Sequence, residues 1–213
     1  MEAKRYRTIK GEGCGEFIEK RSRFIASVKP VTCEEEAINY INELKQKYWD
    51  ARHNVYAYII RENNIMRYSD DGEPSGTAGV PVLEILKKEN LTDIVVVVTR
   101  YFGGILLGTG GLVHAYSKSA KLGIEDAKIK EMVLCCRVII KCDYSLIGKV
   151  QYEVAEFESA ITGDTEYGES VYMTVYIPVD FVDGFIAKLI DKTNGNVEIE
   201  KSGLYYHPKE EER

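Results

Sequence analysis

The chain has 213 residues, a formal net charge of −6 and 45% hydrophobic residues. That length predicts one large domain or two small ones, and the composition is that of an ordinary globular chain with enough apolar residues for a core. No apolar run approaches the roughly 20 residues that cross a bilayer, and the overall acidity argues against a protein that coats nucleic acid non-specifically. The longest apolar run, Ile94 to Val98, reads as a strand. The first residues lead straight into charged sequence with no apolar leader, which predicts a cytoplasmic chain without membrane contact.

The charge is unevenly spread. Residues 1–134 sum to +1 and residues 135–213 to −7, while residues 3–30 alone carry +5. Five cysteines are an odd number and none forms a C-x-x-C pair. Cys135 and Cys136 are neighbours in an expected strand, so their side chains point to opposite faces, and reduced structural thiols are expected. His53, His114 and His207 lack any paired ligand spacing, so neither zinc nor another cofactor is expected.

In chain order, Lys4 to Val28 reads as two strands around the glycine turn Gly11 to Gly15. Thr32-x-x-Glu35 is a capping-box signature before a helix with Ala37, Ile38, Ile41, Leu44 and Tyr48 at helical spacing. Asn54–Ile60 and Ile65–Tyr68 form an expected hairpin. Ser69 to Pro81 holds too many Gly, Pro and Asp for a regular element, and a short helix over Val82–Lys88 follows. Asp93–Thr99 is a strand buried on both faces. A second glycine-rich loop spans Arg100 to Gly111, before a helix over Leu112–Asp126.

The rest of the chain reads β-α-β-β-α-β, the ferredoxin-like order. It comprises a strand at Leu134–Asp143, a helix capped by Ser145, strands at Ile161–Tyr167 and Val171–Ile177, a helix capped by Asp180, and a strand at Val197–Lys201. An α+β fold in two domains follows, 1–134 and 135–205, with a disordered tail over 206–213. No flexible linker separates the halves, which predicts a fairly rigid pair. Tyr172 and Tyr176 lie on the potentially open face of the second sheet, but the −7 charge there points to protein docking or packing on the first domain rather than RNA.

Two clusters could carry chemistry. In the first, five glycines stand within nine residues of the loop after Val98-Thr99-Arg100-Tyr101-Phe102: Gly103, Gly104, Gly108, Gly110 and Gly111. The following helix offers unpaired N–H groups and a positive dipole end, Arg100 a planar donor fork, and Tyr101 and Phe102 aromatic faces. That set fits phosphate or RNA contact; the alternative is a tight loop whose glycines allow close helix–sheet packing. The P-loop lysine is absent. Lys20, Arg21 and Arg23 form a basic run that would add charge if it shares that face. In the second cluster, Asp70, Asp71 and Glu73 could bind a divalent cation, act as acid and base, pair with Arg100, or simply form turns and caps.

These segments resemble a known family. Ser69-Asp70-Asp71-Gly72-Glu73-Pro74-Ser75-Gly76-Thr77-Ala78-Gly79, then Val98 to Gly104 and Leu107 to Val113, are similar to the signature of the IMPACT / YigZ family, as are Lys20 to Ile25 and Ala51-Arg52-His53. The second half resembles the small domain appended in bacterial two-domain members. The resemblance implies a first domain of the ribosomal-protein, domain-two-like fold, with helices on one face of a sheet. It also implies a ferredoxin-like second domain similar to domain five of elongation factor G. Consecutive domains of that factor have these two folds, so contact with RNA or the ribosome is implied by analogy. Eukaryotic relatives regulate translation under amino-acid stress through a partner bound by an additional N-terminal domain, a mechanism not expected here. No catalytic residues come with the family.

The leading expectation is therefore a non-enzymatic cytoplasmic regulator of translation or stress response. It would meet RNA or the ribosome through the Arg100 loop, and a protein partner through the acidic second domain. The alternative is an enzyme for a small phosphorylated or peptide substrate that uses Asp70, Asp71 or Glu73. A closed pocket of small-ligand size would favour the enzyme, and an open basic groove would favour RNA.

Overall fold

The computed structural model describes residues 3–209. Their contacts divide them into one unit over Tyr6–Glu131 and a second that joins the described residues from Met132 onward to those up to Arg5.

The first unit begins with β1 (Arg5–Ile9), β2 (Gly13–Glu19) and β3 (Ser22–Pro30). Three strands thus occupy the stretch where two were expected. The reversal falls at Lys20 and Arg21, whose φ values are +44° and +66°, not at the glycines. Gly13 and Gly15 lie inside β2 for another reason. A Cβ on Gly13 would stand 2.5 Å from the Ala127 nitrogen and the Gly123 oxygen, and one on Gly15 would stand 2.5 Å from the Gly123 nitrogen. The strand gives up side chains there so that a helix can lie on it.

Next come α1 (Glu34–Lys47), β4 (His53–Ile60), β5 (Ile65–Ser69), α2 (Gly79–Lys88), β6 (Ile94–Tyr101) and α3 (Gly108–Ala127). The cap of α1 differs by one position from the expected box. Glu36, not Glu35, reaches back, and its carboxylate accepts the Thr32 backbone N–H at 2.6 Å and the Thr32 hydroxyl at 3.0 Å. Both α2 and α3 start earlier than apolar periodicity suggests, because their first turns are built of Gly, Thr, Val and Pro rather than of large apolar residues.

Strands β2 to β6 form an antiparallel sheet in the order β2-β3-β6-β4-β5, of which β1 is not a part. β6 is central, and its valines are completely buried on both faces. Val96 and Val98 pack with Phe24, Ala57, Leu86, Leu112 and Ala120, under α2 and α3. Val95 and Val97 pack with Ala37, Ile41 and Leu44 of α1. The helices therefore cover both faces of this sheet, which corrects the one-face layout that the family resemblance implies. The unbroken apolar run in β6 is the physical reason: a strand with no polar alternation needs cover on both sides.

The second unit contains most of β7 (Ile129–Cys142), then α4 (Ile147–Ala155), β8 (Ile161–Tyr167), β9 (Val171–Pro178), α5 (Val182–Lys192) and β10 (Val197–Pro208). The order β10-β7-β9-β8 is antiparallel throughout and is the ferredoxin-like arrangement, so the chain is α+β in both units. Val138, Ile140, Met173, Val175, Phe185 and Leu189 form its core, between one face of the sheet and the two helices. Neither Ser145 nor Asp180 caps a helix by its side chain; the residues before α4 and α5 are Leu146 and Phe181.

The expected tail is also shorter. Tyr206, His207 and Pro208 continue β10 against Leu134, Val133 and Met132, because Tyr205 and His207 pack on Tyr176 at ring distances of 5.9 and 4.1 Å. The remainder of that tail lies outside the described residues. All three cysteines of β7 are buried thiols, and burial pushes Cys135 up to about 11. Among the described residues, no helix is long and apolar enough to cross a membrane.

Candidate functional site

Strand register assembles the site. Arg100, near the end of β6, stands opposite Phe24 of β3 and opposite His53 of β4. Directly opposed residues share a face, so all three side chains lie on the face that α2 and α3 cover. Tyr116 of α3 meets Phe24 edge-on at 5.1 Å from above.

Arg100 is not a free cation. Its side chain is 7% exposed, and one guanidinium nitrogen lies 2.5 Å from Oε1 of Glu73, which is 4% exposed. The guanidinium also faces the rings of Phe24 at 5.4 Å and Phe102 at 5.6 Å. The Tyr116 hydroxyl donates to the same Glu73 oxygen at 2.8 Å. Burial, together with the adjacent Glu73 carboxylate, holds the Tyr116 phenol far above its ordinary range, so it remains a donor. His53 Nε2 lies 3.9 Å from that oxygen. Its Nδ1 is 2.7 Å from the Asp71 carbonyl oxygen, which can only accept, so Nδ1 carries a hydrogen and Nε2 is turned toward Glu73.

The acidic loop therefore separates into three tasks. Asp70 Oδ1 accepts from the N–H groups of Ala78 and Gly79 at 3.1 and 2.8 Å, and Oδ2 from Gly76 at 2.9 Å. It caps the start of α2 from eight residues away. Asp71 accepts from the Asn54 N–H at 2.6 Å and pairs with Lys45 at 3.2 Å. Glu73 neutralises Arg100. Among the described residues no three His, Cys, Asp or Glu side chains gather as a metal-binding group.

The loop glycines also separate. A Cβ on Gly103 would lie 2.1 Å from the Arg21 carbonyl carbon, so close packing demands glycine there. That contact brings the Lys20–Arg21 turn beside the Phe102–Gly104 loop. Gly104 and Gly108 have φ values of +83° and +73°, which glycine tolerates. A Cβ on Gly111 would meet Leu107 at 3.1 Å. Gly110 has neither reason: its φ is not positive, and a Cβ on it would meet nothing within 4 Å. Glycine in a helix costs about 0.5–1 kcal/mol relative to alanine, so the fold alone does not account for it.

A cleft of about 380 Å³ opens at this point. Its buried lining is Arg100, Glu73 and the half-buried His53; Phe102, Leu106 and Leu112 form an apolar wall; Arg52, Gly108 and Thr109 are exposed beside it. The N-terminus of α3 therefore faces the cleft. Among the described residues neither the preceding Leu107 nor any distant side chain caps it, whereas the start of α2 is taken by Asp70. Among the described residues no carboxylate pairs with Arg52, Lys20 or Arg21. Arg23 pairs with Glu16 at 2.7 Å, and the Tyr101 hydroxyl donates to Asp50 at 2.8 Å, so neither contributes to the cleft.

Residues 20–124 match the Impact N-terminal domain. Over 202 residues the chain is 41% identical to the IMPACT family member YvyE of Bacillus subtilis, covering 94% of this chain and 93% of that one. The chain belongs to the IMPACT family. The IMPACT family member YigZ of Escherichia coli is 31% identical over 183 residues, or 84% of this chain and 89% of that one. Residues 140–196 match a domain of unknown function, DUF1949. A solved structure described as a hypothetical protein aligns with a TM-score of 0.60 at 28% identity, covering 93% of this chain and 97% of that one. The Impact-matched span contains every residue of the cleft, from Arg52 to Leu112.

Sequence reasoning singled out Arg100, Phe102, Gly108 and Glu73 and missed Arg52, His53, Thr109 and Tyr116 as parts of one site. His53 could have been found by register: pairing β4 with β6 sets it beside Arg100.

Proposed function

We propose that this IMPACT-family chain recognises phosphate on RNA through the cleft at the start of α3 and acts in the regulation of translation. One observation carries the proposal. A long helix presents an N-terminus that no side chain caps among the described residues to a cleft that also holds two arginines and a histidine. Free N–H groups and the positive end of the helix dipole favour an anion there. The regulatory role follows from the family resemblance and from the two-domain order it implies. The cleft is of small-ligand size, which favours the enzyme alternative, but Asp70 and Asp71 spend their carboxylates on backbone N–H groups and Glu73 is paired with Arg100, so the binding reading is preferred. The net charge of −7 on residues 135–213 disfavours phosphate contact by the second unit and leaves it for a protein partner.

The phosphate-contact test uses Arg52 rather than Arg100, because Arg52 is exposed and unpaired among the described residues. Binding to structured RNA is expected to fall steeply between about 50 and about 200 mM salt. Arg52→Ala should weaken it and lower the logarithmic salt slope by about 1. Absent or salt-insensitive binding overturns the proposal.

A further inference from the structure

We infer that the cleft takes a terminal phosphomonoester carrying one nucleoside, either a free nucleoside monophosphate or the phosphorylated end of an RNA strand, rather than an internal phosphodiester. This rests on the phosphate reading above and narrows it.

The donor count is the first reason. The first-turn N–H groups of α3, which no side chain caps among the described residues, and the Arg52 guanidinium belong to this one cleft, with the Glu73-paired Arg100 in its lining. Arg100 is 93% buried by its side-chain exposure of 7%, and its Nε has no partner among the described residues. An internal phosphodiester offers two non-bridging oxygens and one negative charge. A terminal phosphate offers three oxygens and a charge of about −1.5 to −2, which better satisfies so many donors.

The charge balance is the second. Glu73 offsets one arginine, which leaves the other and the helix end to be matched by the ligand. Size and surface chemistry are the third. About 380 Å³ lies near the lower end for small-ligand cavities and suits one nucleotide rather than a tract of strand. Phe102 is 43% exposed and Leu106 is 84% exposed on the apolar side of the cleft, a platform on which a base can stack.

The test measures binding of a short single-stranded RNA with an internal fluorophore, phosphorylated at one end or the other, or hydroxylated at both. AMP and adenosine serve as competitors. The inference expects one phosphorylated end to bind about tenfold tighter than the hydroxyl form, AMP to compete and adenosine not to. Arg52→Ala, which removes an exposed cation of the cleft lining, should shrink the difference. RNA that binds equally well with and without a terminal phosphate overturns this inference and leaves the RNA reading standing. AMP binding without any RNA binding supports the phosphomonoester and overturns the RNA reading. If neither binds, both fall.

Discussion

Arg100→Ala is expected to destabilise the first unit by about 3–5 kcal/mol, measured by equilibrium urea unfolding. Its partner Glu73 is 4% exposed and would keep only the Tyr116 hydroxyl at 2.8 Å and the His53 ring at 3.9 Å. Removing one member of a buried pair leaves the other charge without compensation, and water cannot easily reach it. Phe24 and Phe102 also lose the guanidinium that faces them. Arg100→Ala with Glu73→Ala should cost less than the sum of the two single changes, because the stranded charge is then gone. A loss below about 1 kcal/mol for Arg100→Ala would mean that the pair is well hydrated. The same reasoning makes Arg100→Ala a poor probe of ligand contact, since lost binding would only report lost structure.

Gly103→Ala is expected to cost about 1–3 kcal/mol or more, as overpacked sites do. The added carbon would lie 2.1 Å from the Arg21 carbonyl carbon and 2.4 Å from the Ser22 nitrogen. These are backbone atoms, in a turn already held at positive φ by Lys20 and Arg21. No flexible side chain can swing away. The Gly103 N–H also donates to the Ser22 hydroxyl at 3.2 Å, so a shift would break a bond as well. Thermal unfolding of the variant checks this, and an unchanged midpoint would contradict the packing described.

Much of the architecture is legible in single segments. The five apolar residues of β6 already demand cover on both faces, and the β-α-β-β-α-β rhythm of the second half appears as β10-β7-β9-β8. What the chain conceals depends on partners distant in sequence. Gly13 and Gly15 look like turn residues until α3 is seen to lie on them. Pairing of Arg100 with the acidic loop is a reading the sequence offers, but that Glu73, 27 positions away, is the carboxylate that holds it shows only in the structure. Asp70 looks reactive until the N–H groups of Ala78 and Gly79 at the α2 start, and of Gly76 before it, are seen to converge on it. The site consists of residues from β4, the acidic loop, β6 and α3, and only the sheet register joins them. Composition is equally silent on why Gly110 is glycine, since the question arises only once its surroundings are known to be empty.

That residue offers the most direct measurement. In a helix the Cα–Cβ bond tilts toward the N-terminus, so alanine at position 110 adds a methyl group beside the first-turn N–H groups, next to Gly108 and Thr109 of the cleft lining. Gly110→Ala meets no atom within 4 Å and should leave folding unchanged or improve it by about 0.5–1 kcal/mol. RNA affinity measured on that variant should nevertheless fall by about tenfold at low salt. A stable Gly110→Ala protein that binds RNA as tightly as the unaltered chain would contradict the placement of the phosphate at the start of α3.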